Sequence, residues 1–140
     1  MDYDGDKELP MYTPKLTKDI RNPLEAGLAC VSGKWKTRII CALMNGGPMR
    51  YKQVKANLSG VTDAVLAQTL KELTTDAIVA RTQYDEMPVR VEYALTVKGQ
   101  AAIPMLQGIA RWTQAYNPEW AQVRCGCGRP DCLFDQPQEH

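Results

Sequence analysis

The chain has 140 residues, of which 44% are hydrophobic and 24% charged, and its formal net charge is +1. This length suits one domain with a real core, and the composition is that of a soluble globular protein. No apolar run approaches the ~18 residues that span a bilayer, and the acidic first residues are unlike a signal peptide, so we expect a cytoplasmic protein without a membrane partner.

The charge is distributed unevenly along the chain. Residues 22–100 contain ten Lys or Arg and seven Asp or Glu, a net +3, whereas residues 1–21 and 101–140 are each net −1. A basic middle with acidic flanks is compatible with nucleic-acid binding, although it falls short of the strongly basic surface of a non-specific binder.

Three regions are predicted in chain order. Residues 1–21 show neither helical nor strand periodicity and are interpreted as a flexible, extended N-terminal arm. The segment 22–25, Asn-Pro-Leu-Glu, predicts a helix start with Asn22 as the N-cap, and this helix should end near Gly33. Residues 22–116 are predicted to form the folded domain, and residues 117–140 a cysteine-containing tail.

Two more helices are predicted before residue 60. One begins at about Lys34 and ends at the turn Asn45–Pro48, and its buried face, spaced i, i+4, i+7 and i+8, consists of Trp35, Ile39, Ala42 and Leu43. The next is short, with Lys52 and Lys55 outside and an inward face made of Tyr51, Val54 and Leu58.

The fourth predicted helix is central to the functional interpretation. Thr62 is its N-cap, and its buried stripe consists of Leu66, Leu70, Leu73 and Ala77. Its outer face consists of Asp63, Ala64, Ala67, Gln68 and Lys71. Small residues with an amide and a lysine can approach base edges, as a recognition helix must. The alternative is an ordinary solvated surface helix; the neighbouring helix and ribbon favour the recognition helix.

Two strands follow the fourth helix. They are predicted at Val79–Tyr84 and Val89–Leu95, joined by the tip Asp85–Pro88. In the second strand Val89 and every second residue after it share one face, and Arg90 begins the other. The second, third and fourth predicted helices, followed by a basic two-stranded ribbon, predict a winged helix-turn-helix, an α+β but mainly α fold.

A long helix is predicted from Thr96, its cap, to about Tyr116, with a bend at Pro104. Its apolar stripe consists of Met105, Leu106, Ile109, Trp112 and Tyr116. A helix that follows a wing has little of its own domain left to cover, so we expect this stripe, with the N-terminal helix, to form a homodimer interface. Packing on the chain's own first helix is the alternative.

Four segments together match a known pattern: Asn-Pro-Leu-Glu at 22–25, Gly-Lys-Trp-Lys at 33–36, Gly-Val-Thr at 60–62 and Pro-Val-Arg-Val-Glu-Tyr at 88–93. Over residues 22–113 the sequence resembles the HxlR-type branch of the MarR-like winged-helix regulators of bacteria. The resemblance implies a dimeric DNA-binding transcription factor without enzymatic activity. Many relatives that sense oxidants, electrophiles or quinones carry a cysteine where this chain has Asn22. Relatives also commonly begin the recognition helix with basic residues where this chain has Asp63 and Ala64.

The predicted DNA contacts are of two kinds. Gln68 is the predicted base reader, because a glutamine amide can pair bidentately with adenine. Thr62, with the helix N-terminal amides, is predicted to hold a phosphate, and Arg90 to enter the minor groove or contact its phosphates. The remaining predicted phosphate contacts are Lys34, Lys36, Arg50 and Lys52, although Lys34 and Lys36 could simply solvate their helix.

Five cysteines cannot all pair within one chain. Cys30 and Cys41 lie in helical patterns and are interpreted as reduced core residues. Cys125, Cys127 and Cys132 could bind Zn²⁺, form a reversible disulfide or be idle, and no other cofactor is predicted.

The sequence disfavours an enzyme. Its one histidine is His140, and it contains neither a nucleophile elbow nor a Gly-rich phosphate loop after a strand. The predicted function is a homodimeric transcriptional regulator that binds an inverted-repeat operator and responds to a redox or small-molecule signal. The alternatives are a winged-helix protein-interaction module and a zinc-dependent regulator.

Overall fold

The computed structural model describes residues 19–123. These residues belong to two units, 19–32 and 33–123, and each is described by itself. Most of the predicted N-terminal arm lies outside the described residues, as do Cys125, Cys127 and Cys132 of the predicted tail.

The first unit contains helix α1 (Pro23–Val31), which begins where the sequence predicts. The Asn22 side chain accepts a hydrogen bond from the backbone N–H of Glu25 at 2.9 Å. The Glu25 carboxylate accepts one from the backbone N–H of Arg21 at 2.8 Å. The bond to Asn22 satisfies a backbone donor that a helix start leaves unpaired, so Asn22 acts as the helix cap, and the second bond ties Arg21 to the first turn.

The second unit contains the remaining elements. Its order is α2 (Lys34–Gly46), α3 (Tyr51–Ala56), α4 (Asp63–Thr75), β1 (Val79–Tyr84), β2 (Arg90–Leu95), α5 (Val97–Ala101), α6 (Ile103–Tyr116) and a 3₁₀ turn (Pro118–Trp120). Three helices followed by a two-stranded sheet form a winged helix-turn-helix, which confirms the predicted fold class. Among residues 19–123, none of the helices has both the length and the apolar character that crossing a bilayer requires.

The core of this unit lies where α2, α3, α4 and the start of β1 meet. Its fully buried side chains are Ile39, Ile40, Val54, Leu66, Leu73, Ile78 and Val79. The predicted stripe Leu66, Leu70 and Leu73 is confirmed, because all three are at most 2% exposed. Two predicted core positions are wrong: Trp35 is half-buried, and Ala77 is exposed because α4 has already ended at Thr75.

The end of α4 is tightly closed. The N–H of Ala77 bonds to the carbonyl of Thr74 at 3.0 Å, and the N–H of Ile78 bonds to that of Leu73 at 2.9 Å. This pair is a Schellman motif, which needs a left-handed residue in between and usually has glycine there. Here the residue is Ala77 with φ 61°. Its Cβ makes that conformation unfavourable by about 1 kcal/mol.

The wing is formed by β1 and β2, which pair antiparallel with Val79 opposite Leu95. The strand β2 begins one residue later than predicted, and all its side chains are half-buried, so the predicted alternation is not seen in their burial. A short bridge extends the sheet. Met49 and Tyr93 exchange two backbone hydrogen bonds, of 2.9 and 2.7 Å, which attach the start of α3 to the wing.

The predicted long helix is two helices. Thr96 caps the first as predicted, accepting a hydrogen bond from the N–H of Gly99 at 2.9 Å. The helix is then interrupted at Ala102, and Pro104 lies in the first turn of α6. Proline lacks the N–H that a continuous helix needs and clashes with the preceding turn, so it starts a new helix here and does not bend an existing one.

Helix α5 packs directly on the foot of the wing. A Cβ on Gly99 would lie 3.2 Å from the carbonyl carbon of Ile78 and from the Leu95 side chain, and closer still to the Ile78 oxygen. Thr96 Oγ1 donates to the carbonyl of Ala77 at 2.6 Å, and Lys98 Nζ donates to that of Asp76 at 2.8 Å. These bonds satisfy carbonyls at the end of α4 and join α4, the wing and α5.

Candidate nucleic-acid interface

The outer face of α4 is exposed along its length. The predicted residues on it are all solvent-accessible, namely Asp63, Ala64, Ala67, Gln68 and Lys71. The opposite face is anchored by Leu66, Leu70 and Leu73 in the core. A rigidly held helix whose outer centre carries alanines can bring its backbone close to another surface, which is the geometry that a recognition helix needs.

Thr62 begins α4 as predicted. Its side-chain oxygen accepts a hydrogen bond from the N–H of Val65 at 3.2 Å. Val61 before it and Leu66 after it are both buried, which agrees with a hydrophobic staple at this helix start. The phosphate contact expected at this terminus stays a prediction.

Asp63 ties α4 to α3. Its carboxylate lies 3.0 Å from Lys55 Nζ, and it accepts a hydrogen bond from the Tyr51 hydroxyl at 3.0 Å. The hydrogen bond from Lys55 is the main reason that the pKa of Asp63 is lowered, followed by the bond from Tyr51. The negative charge at the start of α4 is therefore balanced within the helix-turn-helix, and Asp63 has a structural role that its position in the sequence did not predict.

Lys36 does not lie where a phosphate contact would need it. It is 9% exposed, inside the unit, and its Nζ lies 3.5 Å from a carboxylate oxygen of Glu72 on α4. Its position follows from helical spacing, since Lys36 precedes Ile39 and Ile40 by three and four residues and shares their buried face. The helical spacing therefore already indicated that Lys36 is buried. The structure replaces its expected phosphate contact with an ion pair to Glu72.

Arg90 is enclosed by the wing's own acidic residues. Its guanidinium donates to Glu86 at 2.8 and 3.1 Å and to Glu92 at 2.7 Å. It also lies 3.9 Å from the ring centroid of Tyr84. These bonds, with Glu86 the larger cause, raise the pKa of Arg90 further, and only 23% of its side chain is exposed. The Arg90 guanidinium that was expected to contact the minor groove is therefore already bonded to two glutamates of its own chain.

Four of the predicted cationic contacts are exposed: Lys34, Arg50, Lys52 and Lys71. Lys34 Nζ lies 4.6 Å from the ring centroid of Trp35, and the guanidinium of Arg38 lies 5.1 Å from it. Arg38 is a further exposed cation that was not among the predicted contacts, although its spacing of three residues from Trp35 predicts that the two side chains meet.

The apolar stripe of α6 is largely uncovered in the single chain. The exposed fractions are 45% for Met105, 45% for Ile109, 63% for Trp112 and 75% for Tyr116. Leu106 differs, because it is 9% exposed. Leu106 is thus covered by its own chain and is corrected from an interface residue to a core residue.

Within residues 19–123, no three His, Cys, Asp or Glu side chains converge as metal ligands would. Cys41 is buried, as predicted, and Cys30 is half-buried. The suggested Zn²⁺ ligands lie outside the described residues, so that prediction stays untested.

Both the sequence and the structure are similar to those of known helix-turn-helix proteins. The profile of HxlR-like helix-turn-helix proteins matches residues 30–121. The HTH-type transcriptional regulator YkvN of Bacillus subtilis is 37% identical over 104 residues, which cover 74% of this chain and 87% of YkvN. The structure of reduced YodB from B. subtilis matches with a TM-score of 0.65 and 32% identity, covering 71% of this chain and 98% of that one. The redox regulator HypR in its oxidized form matches with a TM-score of 0.60 and 30% identity, covering 67% and 96%.

Proposed function

Because the chain belongs to the HxlR-like helix-turn-helix family of transcriptional regulators, we propose that it binds double-stranded DNA as a homodimer, with α4 in the major groove. One observation carries the proposal: α4 is fixed by buried leucines on one side and presents small residues, Gln68 and Lys71 on the other. That face suits direct contact with base edges. We propose that the protein has a regulatory, non-enzymatic role and acts in the cytoplasm, where the DNA is.

The exposed stripe on α6 supports the homodimer. A helix with Trp112 and Tyr116 more than half exposed leaves a contiguous apolar surface that water covers poorly. A second copy of the chain, related by a twofold axis, would bury the same stripe on both subunits. The two α4 helices of such a dimer would reach successive major grooves, roughly 34 Å apart, on an inverted repeat.

The exposed cations are proposed to contact phosphates. They are Lys34, Arg38, Arg50, Lys52 and Lys71. Lysines and arginines that neutralise phosphates set the register of a protein on DNA and make its affinity dependent on salt. Arg90 and Lys36 are left out of this set because acidic side chains of the same chain already hold them.

The test is binding of the purified protein to the promoter region of its own gene, measured by mobility shift and fluorescence anisotropy. Ala67→Glu places a carboxylate on the outer face of α4, and the matched control Ala101→Glu places one on the exposed end of α5. Repulsion between the new carboxylate and the DNA should weaken DNA binding by Ala67→Glu more than about tenfold, because like charges in contact cost several kcal/mol. DNA binding by the control should not change. Equal binding by both variants would contradict the proposed face.

The dimer has its own test. Sedimentation should show a dimer at micromolar concentration, and Trp112→Glu should shift it towards monomer while keeping the helical content. The matched control Val123→Glu alters another exposed apolar residue outside the α6 stripe. A wild-type monomer at micromolar concentration would contradict the geometry.

A response to oxidants or Zn²⁺ is proposed for the three tail cysteines, since HypR is described as a redox regulator. Asn22 cannot supply the thiol that oxidant-sensing relatives carry at its position. A mobility shift of wild type and of a Cys125→Ser, Cys127→Ser, Cys132→Ser triple variant, each with reductant, oxidant and chelator, tests the response. Identical curves in all conditions would show that these cysteines are idle.

A further inference from the structure

Three side chains form a row from the inside of the unit to the outer face of α4. Lys36 of α2 lies innermost, with 11% of its side chain exposed, and its Nζ is 3.5 Å from Oε1 of Glu72. The other carboxylate oxygen of Glu72, Oε2, accepts a hydrogen bond from Nε2 of Gln68 at 3.0 Å. Each oxygen of Glu72 therefore has a different partner, one buried and one on the exposed face.

This row determines which way the Gln68 amide points. An ionised carboxylate only accepts hydrogen bonds, so the nitrogen of the amide, and not its oxygen, must face Glu72. The opposite orientation would place two acceptors against each other. The bond uses one N–H of Gln68 and leaves its oxygen and its second N–H for another partner.

Lys36 stabilises this orientation of the Gln68 amide. The Glu72 side chain is 25% exposed and Lys36 is less so, and a pair in such a place is screened by salt less than a surface pair. A glutamine on a bare helix surface would change rotamer freely, whereas Gln68 is bonded to a carboxylate that is itself held from α2. The arrangement fixes donor and acceptor before any DNA arrives.

We propose that Lys36 and Glu72 are positioning residues that set the base preference of Gln68, favouring adenine at one position of each half-site. One acceptor and one donor match N6 and N7 of adenine, whereas guanine presents acceptors at both O6 and N7. This inference rests on the proposed function, because it needs α4 in the major groove with Gln68 at a base edge.

The substitution Glu72→Gln separates positioning from mere support. Glutamine has almost the same shape, but its amide can donate as well as accept, so Gln68 can turn its oxygen inward and present both N–H groups to the DNA. Two donors match O6 and N7 of guanine, whereas the original orientation of the amide, which this variant can still adopt, matches adenine. The variant should therefore accept adenine and guanine at a position where wild type prefers adenine by about five- to 150-fold.

The experiment is selection from operators randomised at each half-site position, read as base preference, with the full-length protein. Wild type, Gln68→Ala, Glu72→Gln and the double variant are compared, and thermal melting confirms that each is folded. Adenine preference should be lost in Gln68→Ala and broadened to both purines in Glu72→Gln. The double variant should match Gln68→Ala, because without Gln68 there is nothing left to position.

Lys36→Met provides a second route if Glu72→Gln folds poorly. It removes the inner partner and should also broaden the purine preference, to a smaller extent, since Glu72 can still accept from Gln68.

Three results overturn the inference, and each has a different meaning. If Gln68→Ala changes the preference but neither Glu72→Gln nor Lys36→Met does, Gln68 reads a base without positioning. If Gln68→Ala changes nothing, Gln68 reads no base, and that part of the proposed function fails as well. If Glu72→Gln weakens binding to all sequences equally, Glu72 only supports the fold.

Discussion

The helix-turn-helix (α3 and α4) and the wing (β1 and β2) both carry charged residues that suit DNA, but they use them differently. On the helix-turn-helix, Lys52 and Lys71 are exposed, and the acidic Asp63 is paired with Lys55. On the wing, Arg90 is paired with two glutamates and lies against an aromatic ring. Cations are thus available on the first region, whereas the arginine predicted to act on the second is already occupied.

This difference shows that a basic residue in a sequence is only a candidate for DNA contact. Arg90 would have to break its bonds to Glu86 and Glu92 before it could bind a phosphate. The cost of unpairing a charge group offsets the gain from the new contact. In this chain the helix-turn-helix is therefore expected to supply the affinity, and the wing tip to contribute little through Arg90.

The largest expected effect concerns how firmly each region is anchored. Leu66→Ala removes a fully buried side chain beneath the outer face of α4 and should lower the free energy of unfolding by about 2–5 kcal/mol. Val89→Ala at the wing tip, where the side chain is 56% exposed, should change it by less than about 0.5 kcal/mol. Urea unfolding measures both. Equal effects would mean that α4 is no better anchored than the wing tip.

The foot of the wing is packed more tightly than its tip. Gly99→Ala would press a Cβ against the backbone of Ile78 and should destabilise the protein by about 1–3 kcal/mol. Gly108→Ala in α6 is the matched control, because a Cβ there meets nothing within 4 Å and should stabilise the helix by about 0.5–1 kcal/mol. Thermal unfolding should show shifts of opposite sign; a stabilising Gly99→Ala would contradict the close contact.

A smaller effect is expected where α4 ends. Ala77→Gly relieves the left-handed backbone at φ 61° and should stabilise the protein by about 1 kcal/mol. Ala80→Gly in β1 changes the same residue type in extended backbone and should destabilise it by about 0.5–1 kcal/mol. Urea unfolding of the two variants gives the comparison, and destabilisation by Ala77→Gly would show that the Schellman turn tolerates alanine at no cost.

The smallest effect is acid sensitivity, and both regions should share it. The pKa values of Asp63 and Glu86 are lowered from 3.8 and 4.5, chiefly by hydrogen bonds from Lys55 and Arg90 respectively. A lowered pKa in the folded state means that the unfolded chain takes up protons first, so this stabilisation is present above these values and is lost as pH falls below them. Urea midpoints should drop less between about pH 5 and pH 3 in Asp63→Asn and Glu86→Gln than in wild type. An unchanged acid dependence in both variants would contradict these pairings.

Much of the fold was predictable because its signals are local. Thr62 and Thr96 each cap a helix within three residues, and the leucines of α4 repeat with the helical period. The break at Ala102 was not predicted, because a proline within a helical pattern is compatible with both a bend and a new helix. The choice depends on how α5 packs against Ile78, which is distant in sequence.

The candidate site was predictable in outline but not in its charge pairs. The exposed face of α4 follows from periodicity alone, whereas the partner of Lys36 lies on another helix and that of Arg90 depends on how the wing tip turns. The role of Asp63 likewise depends on how α3 and α4 meet. Spacing determines which face a residue lies on, and tertiary contacts decide whether its charge is available.

Salt dependence of DNA binding tests the contrast between the two regions most directly. The dissociation constant for the promoter fragment would be measured from low to moderate salt for wild type, Lys52→Ala and Arg90→Ala. Lys52→Ala should reduce the slope of log Kd against log salt by about 1.8, since a dimer loses two phosphate contacts, and Arg90→Ala should leave the slope unchanged. A reduced slope in Arg90→Ala with no change in Lys52→Ala would contradict the account.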